Sequence, residues 1–365
     1  MASGRMRDTM TTAPRLARRF AVLVAATVAF TACGSDNDST SDTATGDTAA
    51  AEAAGSITVY SGRSEELVAP IIEDFTAATG IDVELRAGDS GEMAALLLTE
   101  GDASPADVFF SQDAGALGAV EDAGLFAPLP DATLDLVDPA YRSTQGNWIA
   151  TSGRMRVLVY NPDLVADADL PATIDDLLDA AWKGKIGFAP TNASWQSFVT
   201  ALRVLRGDDG ARTWLEGFAA NEPVAYEKNG VVRDAVNSGE VSVGLVNHYY
   251  LYEKILAEGA DAVVAKNHYF KNQDPGSLVN VAGVGILASS DNAAAARALV
   301  DFLLSAEGQT YFAEKTFEYP VASGVAPFAD LPTIEEVNPP AIDLADLKSI
   351  EATQELLSSV GLLTK

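Results

Sequence analysis

The sequence predicts an α/β fold with two lobes, and three observations lead to this prediction. Short apolar runs that suit buried strands alternate with longer amphipathic segments that suit helices, a pattern typical of a parallel-rich sheet. Residues 56–365 form a stretch of 310 residues, which is more than one hydrophobic core usually organises. Several predicted helices begin directly after a strand, at the place where open α/β sheets bind ligands.

The first half of this stretch opens with a strand at 57–60 and a polar turn. A helix follows, in which Leu67, Ile71, Ile72 and Phe75 recur at helical spacing, and Gly80 ends it. The remaining elements expected here are strands at 81–85 and 107–110 and helices at 92–100 and 114–123.

The second half continues in the same style. We expect strands at 155–160, 185–188, 241–246 and 279–287, and helices at 195–206, 212–219, 229–236, 293–305 and 308–315. The tail is interrupted by proline after Leu331 and is then helical through Leu363.

The start of the chain has the features of a targeting segment. Basic residues precede an apolar run over 20–32 that is too short to span a bilayer, which predicts a signal peptide over 1–32. The run ends in small residues before Cys33, the only cysteine in the chain, and this resembles the lipobox of bacterial lipoproteins. The polar stretch 33–55 lacks large apolar residues and reads as a flexible, lipid-anchored linker. The alternative is a plain secretory signal with an incidental cysteine.

The charge of the chain argues against two classes of partner. Without residues 1–32 it keeps 51 acids and 19 bases, a formal charge of −32. Such a surface repels nucleic acid and anionic lipid, so we expect no nucleic-acid partner and membrane contact through the lipid anchor only.

Two adjacent tyrosines, Tyr249 and Tyr250, follow the predicted strand 241–246. Neighbouring side chains on a strand or a helix point in different directions, so these phenols converge only where the backbone turns from strand to helix. A phenol has an ordinary pKa of about 10, so a strong cation such as Fe(III) must displace its proton to make it an anionic ligand. The alternative is that both rings begin an amphipathic helix with Tyr252 and pack into the core.

Polar residues stand at the starts of several predicted helices: after Gly62, after Gln112, and at Asn192, Asn229 and Asn247. Free N–H groups at helix N-termini bind anions. Each residue taken singly is also explained as a helix cap worth about 1 kcal/mol. Whether these turns face one cleft is open at this point.

Motifs along 57–363 resemble, in order and spacing, the ferric-ion-binding proteins of bacterial iron ABC transporters, within the larger family of extracellular solute-binding proteins. The tyrosine pair after an asparagine is the most functionally specific of them. The matching stretches are 57–62, 104–109, 152–157, 182–187, 228–229, 247–250, 274–276 and 318–320.

The resemblance implies a periplasmic-binding-protein-like fold of type II, with hinge strands between the lobes. The N-terminal lobe would comprise 56–152 and 280–330, and the C-terminal lobe 153–279 and 331–365. It also implies a monomer outside the cytoplasm that captures Fe(III), free or chelated, with a synergistic anion (phosphate, carbonate or citrate). The permease of an ABC importer would be its partner.

The resemblance further assigns residues to the site. Tyr249 and Tyr250 would be phenolate ligands of the metal. The residues that would hold the anion are Thr191, Asn192, Ala193, Ser194, Asn229, Asn247 and Arg154.

Two positions depart from the family pattern. Ser64 stands in the place of a histidine ligand and Gln112 in the place of a glutamate ligand. Glu65 and Asp113, each one residue further on, could compensate, or exogenous anion and water could fill the remaining positions. We expect a weak contribution from the N-terminal lobe, through Glu65 or Gln112 and bound water. Hard oxygen ligands would still select a hard cation. The departures favour the alternative that the chain binds a metal-free small anion or organic solute.

An extracytoplasmic hydrolase is a third hypothesis, and the sequence argues against it. The only histidines are His248 and His268, and neither a Gly-x-Ser-x-Gly nor a His-Glu-x-x-His motif occurs. We therefore expect no enzyme, and we interpret His248 as a cap or as a neighbour of the ligands.

Overall fold

The computed structural model describes residues 55–328 and 331–363. The predicted signal peptide, Cys33 and all but the last residue of the predicted linker lie outside the described residues, so those predictions stay predictions. Within the described part, no helix is both long and apolar enough to cross a membrane.

Most expected elements are confirmed, with shifts of a few residues at their ends. The strands are β1 Ser56–Ser61, β2 Asp82–Ala87, β3 Val108–Ser111, β4 Trp148–Tyr160, β5 Ile186–Phe188, β6 Val224–Ala225, β7 Val243–Asn247, β8 Lys266–His268, β9 Val279–Ile286 and β10 Tyr319–Pro320. The helices are α1 Glu65–Thr79, α2 Ser90–Glu100, α3 Ala114–Asp122, α4 Asp131–Leu134, α5 Ala193–Ala220, α6 Asn229–Ser238, α7 Tyr249–Glu258, α8 Ala293–Leu304, α9 Ala306–Glu314, α10 Ile334–Val337 and α11 Ile350–Ser359.

The strands form one hydrogen-bonded path in the order β2-β1-β3-β9-β4-β7-β5-β6, with β8 and β10 also pairing with β4. Parallel pairs lie toward the two ends of this path, where β1 joins β2 and β3, and β5 joins β6 and β7. All pairs made by β4 and β9 are antiparallel. The expectation of a parallel-rich sheet is therefore wrong in the middle of the path, because two long strands run through it in opposite directions.

Strand β4 is longer than the sequence predicted, since it begins at Trp148 rather than at Met155. Its first part, up to Met155, pairs with β9, and from Arg156 onward it pairs with β7. The register shifts between Ala150 and Ser152, which marks a β-bulge. One strand thus passes from the first half of the sheet to the second, as hinge strands between two lobes do.

The hydrophobic core is divided in the same way. One cluster joins β1, β3 and β9 to α1, α8 and α9, and its largest side chains include Phe75, Phe109 and Trp148. A second cluster surrounds β5 and α5, and it stacks Trp195, Trp214 and Phe218. A third, smaller cluster covers the other face of β7 beneath α6.

The C-terminal segment contacts both large clusters. Leu344 and Leu347, on a 3₁₀ turn, pack in the first cluster, and Leu356 and Leu357 of α11 pack in the second. The predicted assignment of particular segments to each lobe stays a prediction.

Helix α5 joins two helices that the sequence analysis separated. It runs from Ala193 to Ala220 with a kink at Gly207, where φ is +73°. That left-handed conformation suits glycine and explains why the sequence showed a break there.

Candidate functional site

The two adjacent tyrosines converge, as the sequence analysis required of a shared site. Strand β7 ends at Asn247, the backbone of His248 is already helical, and α7 begins at Tyr249. The two phenol rings stack with centroids 4.4 Å apart and planes 27° from parallel. Tyr249 is 5 % exposed, whereas Tyr250 is half-buried.

Burial raises the pKa of Tyr249 well above its ordinary value, and the charge of Tyr250 and a hydrogen bond to it act in the same direction. Arg154 acts in the opposite direction. Tyr249 also belongs to the first hydrophobic cluster, together with Tyr252. The ring of Tyr249 therefore packs in the core, as the alternative interpretation expects. The two phenol oxygens also lie close together.

His248 links the start of α7 to strand β4 by a hydrogen bond. It is fully buried; its Nδ1 accepts from the Met155 N–H at 3.1 Å, and its Nε2 lies 2.7 Å from the Phe317 carbonyl, to which it donates. Burial lowers the pKa of His248 to about 4, so the ring is neutral at pH 7. Its ring also meets Tyr249 edge-on at 5.9 Å. His248 occupies the N-cap position of α7 and contacts a predicted ligand, in line with its interpretation as a cap or neighbour.

Residues 191–194, called here the anion turn, lead into α5. The Asn192 Oδ1 accepts from the backbone N–H of Ser194 at 3.0 Å and from its hydroxyl at 2.7 Å. The Asn229 side-chain amide, at the start of α6, donates to Asn192 Oδ1 at 3.1 Å and to Ser194 Oγ at 2.9 Å. The starts of two helices therefore meet at one place. Asn192 is also the N-cap of α5, as the alternative interpretation of this residue expects.

Two arginines of β4 bring positive charge to this region. Arg154 and Arg156 lie on the same face of the strand because side chains alternate along it. Arg156 donates to Ser194 Oγ at 3.3 Å and to the Leu245 carbonyl of β7 at 3.0 Å. Arg154 donates to the Gln112 carbonyl. Burial lowers the pKa of Arg156 to about 9, against an opposing effect of Tyr250, so the guanidinium stays charged at pH 7.

A cavity of about 410 Å³ lies between the two halves of the sheet. Residues from the first half that line it include Gly62, Ser90 and Gln112, and the anion turn lines it from the second half. Arg154 also lines it, whereas Tyr249, Tyr250, Asn229, Asn247 and Glu65 are not among its lining residues. Asn247 is buried on β7 opposite Arg156.

The first half of the sheet lines the cavity with two carboxylates, those of Asp89 and Asp113. The Gln112 backbone N–H donates to Ser90 Oγ at 2.9 Å, and its side-chain Oε1 is buried without a hydrogen-bond partner. Glu65 is exposed at the first position of α1. Across the described residues, no group of three or more His, Cys, Asp or Glu side chains could hold a metal ion.

Three charged residues near the site were missed as functional candidates. Arg156 was noticed only as part of a matching motif, and Glu253 and Glu66 were passed over. Burial, and then the charges of Glu318 and Glu66, raise the pKa of Glu253 to about 7, although Arg233 acts against them. A visible signal existed for Arg156, because a charged residue interrupts an otherwise apolar strand.

Comparison with known proteins gives one consistent result. Residues 60–310 match the family described as bacterial extracellular solute-binding protein. The Fe(3+)-binding periplasmic protein of Serratia marcescens is 39 % identical over 315 residues, covering 86 % of this chain and 93 % of that protein. Iron-bound HitA of Pseudomonas aeruginosa superposes with a TM-score of 0.79 at 37 % identity, covering 84 % of this chain and 99 % of HitA. FutA of Trichodesmium, in complex with iron and citrate, superposes with a TM-score of 0.74 at 28 % identity, covering 84 % and 100 %.

Proposed function

The chain belongs to the bacterial extracellular solute-binding proteins, and we propose that it captures ferric iron together with a synergistic anion and delivers it to an ABC importer. Membership of this family confirms the expected two-lobed fold and the expectation that the protein is not an enzyme. The observation that carries the proposal is the stacked tyrosine pair. Arg156 supports it, because this residue donates to Ser194 of the anion turn and interacts electrostatically with Tyr250. The iron-binding relatives support the choice of metal.

We assign the metal to Tyr249 and Tyr250 as phenolates. Because burial holds the pKa of Tyr249 high, the cation must displace its proton on binding, which a hard trivalent ion does. Gln112 or Glu65, with water, would contribute weakly from the other lobe. The remaining coordination would come from the anion itself.

The anion would be held by Thr191, Asn192, Ala193 and Ser194 at the start of α5, with support from Asn229, Asn247 and Arg154. Free N–H groups at a helix N-terminus favour negative charge. Phosphate, carbonate and citrate all carry the oxygens that such a site binds. The iron and citrate in the Trichodesmium relative support citrate as one of these.

A second candidate function is the capture of a metal-free small anion or organic solute. The observation that favours it is the first half of the cleft, where Ser64 and Gln112 replace expected metal ligands and where Gln112 Oε1 is buried without a partner. Such a ligand would use the anion turn and Arg154 without needing the phenolates.

Absorption spectroscopy separates the two functions. Purified mature protein mixed with ferric citrate should develop a visible phenolate-to-Fe(III) charge-transfer band that needs an added anion for full intensity. A protein that stays colourless with every anion tried, while calorimetry shows that it binds phosphate or citrate alone, would establish the second function instead.

We also propose that the mature protein is a lipoprotein anchored through Cys33 outside the cytoplasm. Stable anchoring takes more than one acyl chain, as the multiply acylated N-terminus of bacterial lipoproteins provides. The variant Cys33→Ser should appear in the medium or remain unprocessed. A correctly cleaved serine variant that still partitions into detergent would contradict the anchor.

A further inference from the structure

The guanidinium of Arg156 is buried under the site in an unusual environment. The residue is 1 % exposed, and its charge lies 5.5 Å from the ring centroid of Trp195 and 5.1 Å from that of Phe198. Its hydrogen-bond acceptors are one hydroxyl and one carbonyl, and its Nε has no partner. Among the ion pairs of residues 55–328 and 331–363, none involves Arg156.

Arg63 provides the comparison within the same chain. It is equally buried at 1 % exposure and also lies over two aromatic rings, those of Phe110 and Phe312. Unlike Arg156, it forms an ion pair with the buried carboxylate of Glu318 at 2.7 Å. Removing an ion from water is costly unless an opposite charge compensates it. The aromatic faces offset only part of this cost.

A bound ligand can supply the opposite charge that the described residues do not give Arg156 in an ion pair. Its side chain reaches the anion turn through Ser194, and it lies close enough to Tyr250 for the two groups to influence each other electrostatically. The anion turn supplies the opposite charge when it binds its anion.

We propose that Arg156 is a positioning residue that selects a negatively charged ferric complex: its fixed charge stabilises the loaded site, and its hydrogen bond fixes the position of the Ser194 oxygen in the anion turn. This inference rests on the proposed function, and it deepens that function by specifying the net charge of the cargo. The bond to the Leu245 carbonyl ties the same guanidinium to β7, two residues before the strand ends at Asn247. Arg156 thus holds the anion turn and the tyrosine-bearing strand in one arrangement.

The test compares Arg156→Gln and Arg156→Lys with wild type by titration of ferric citrate and of inorganic phosphate alone. Loss of a buried charge partner typically weakens binding by more than tenfold, so Arg156→Gln should bind ferric citrate at least about tenfold more weakly. Its visible band should also shift. Arg206→Gln is the control, because Arg206 lies farther along helix α5, which follows the anion turn, and pairs with the exposed Asp175; it should behave as wild type.

Arg156→Lys keeps the charge but cannot donate in two fixed directions at once. It should retain affinity within about tenfold of wild type while the band shifts, and this variant decides the question if Arg156→Gln does not fold. A purely structural role would lower stability and leave the affinity and band of the folded fraction unchanged, which would overturn the proposal.

The outcomes also distinguish this inference from the proposed function. Unchanged ferric citrate binding in both variants would refute the role of Arg156 and leave iron capture intact. If wild type binds phosphate but no iron, and Arg156→Gln loses phosphate, the charge role survives and iron capture fails. If wild type binds neither, both fail.

Discussion

At the scale of single residues, Glu318 is the buried carboxylate that anchors β4, the strand that passes between the two halves of the sheet. It is 1 % exposed; one oxygen accepts from Arg63 at 2.7 Å, from Ser152 at 2.9 Å and from Thr316 at 3.1 Å. Arg154 lies 3.9 Å from the other oxygen. The residue therefore ties the loop after β1, strand β4 and the turn before β10 together.

We expect Glu318→Gln to destabilise the ligand-free protein by about 3–5 kcal/mol, because the change leaves the buried guanidinium of Arg63 without its counter-charge. Denaturant unfolding at pH 7 measures this. Glu314→Gln is the matched control, since Glu314 is exposed on α9, and its effect should stay within about 0.5 kcal/mol. Equal stability of the two variants would show that the ion pair is not important for folding.

The same pair predicts a pH dependence with a definite sign. Burial alone would raise the pKa of Glu318, but Arg63 and Arg154 and the hydrogen bonds lower it below its ordinary value. The folded protein thus holds this proton less tightly than the unfolded chain does. The stabilisation is complete above the ordinary pKa of 4.5 and is lost as the pH falls through the lower folded pKa. The stability difference between wild type and Glu318→Gln should narrow at acid pH.

At the scale of elements, the C-terminal segment is held against α3 by small residues. A Cβ added to Gly115 would lie 2.7 Å from the Leu347 carbonyl oxygen, which is closer than real Cβ contacts allow. The same segment reaches α5, where Thr353 and Thr200 hydrogen-bond at 2.7 Å and Arg203 donates to Ser349. It therefore connects the two halves of the molecule beside the cleft.

We predict that Gly115→Ala destabilises the protein, because backbone of the C-terminal segment must shift to admit the methyl group, at a cost of about 1–3 kcal/mol. Gly91→Ala is a matched control: Gly91 is also the second residue of a helix, and a Cβ there meets nothing within 4 Å. Thermal unfolding should show a lower Tm for Gly115→Ala only. A parallel fall in both variants would mean that the contact with Leu347 is not responsible.

How far the sequence could predict these elements depended on whether the signal was local. Helix α1 and strand β1 were visible because their apolar spacing and the ending at Gly80 are written in consecutive residues. The first half of β4 was missed because Thr151, Ser152 and Gly153 resemble a turn; they are buried because β9 and β10 pair with this strand on its two sides. The direction in which strands pair carries no local signal, so the antiparallel centre of the sheet could not be foreseen.

The candidate site was likewise predictable only where its signal was local. The sequence could indicate how Tyr249 and Tyr250 converge, because the chain turns from strand to helix just before them. Such a turn is a local feature. The hydrogen bonds from Asn229 to the anion turn join residues more than thirty positions apart in sequence. Only the fold could show that these two helix starts meet. Only the fold could also show that Arg156 is buried and that, among the described residues, no carboxylate pairs with it.

At the scale of the whole molecule, the cleft lies where β4 and β9 connect the two halves of the sheet. A ligand that contacts both halves should favour a closed arrangement, as hinge closure does in two-lobed binding proteins. X-ray scattering should therefore give a smaller radius of gyration for the mature protein with ferric citrate than without it. Confirmed binding with an unchanged radius would contradict closure.

The most direct measurement is a titration of ferric citrate into wild type and into three variants that each remove one phenol oxygen and keep the ring: Tyr249→Phe, Tyr250→Phe and Tyr252→Phe. Tyr252 lies on the same helix and serves as the control. If the tyrosine pair binds the metal, the first two variants should lose affinity severely, by about tenfold or more, and shift or lose the visible band, whereas Tyr252→Phe should bind as wild type. If the rings only pack in the core, each variant should change stability by about 1 kcal/mol and keep the band. A double Tyr249→Phe, Tyr250→Phe variant that still turns coloured at wild-type affinity would contradict the account.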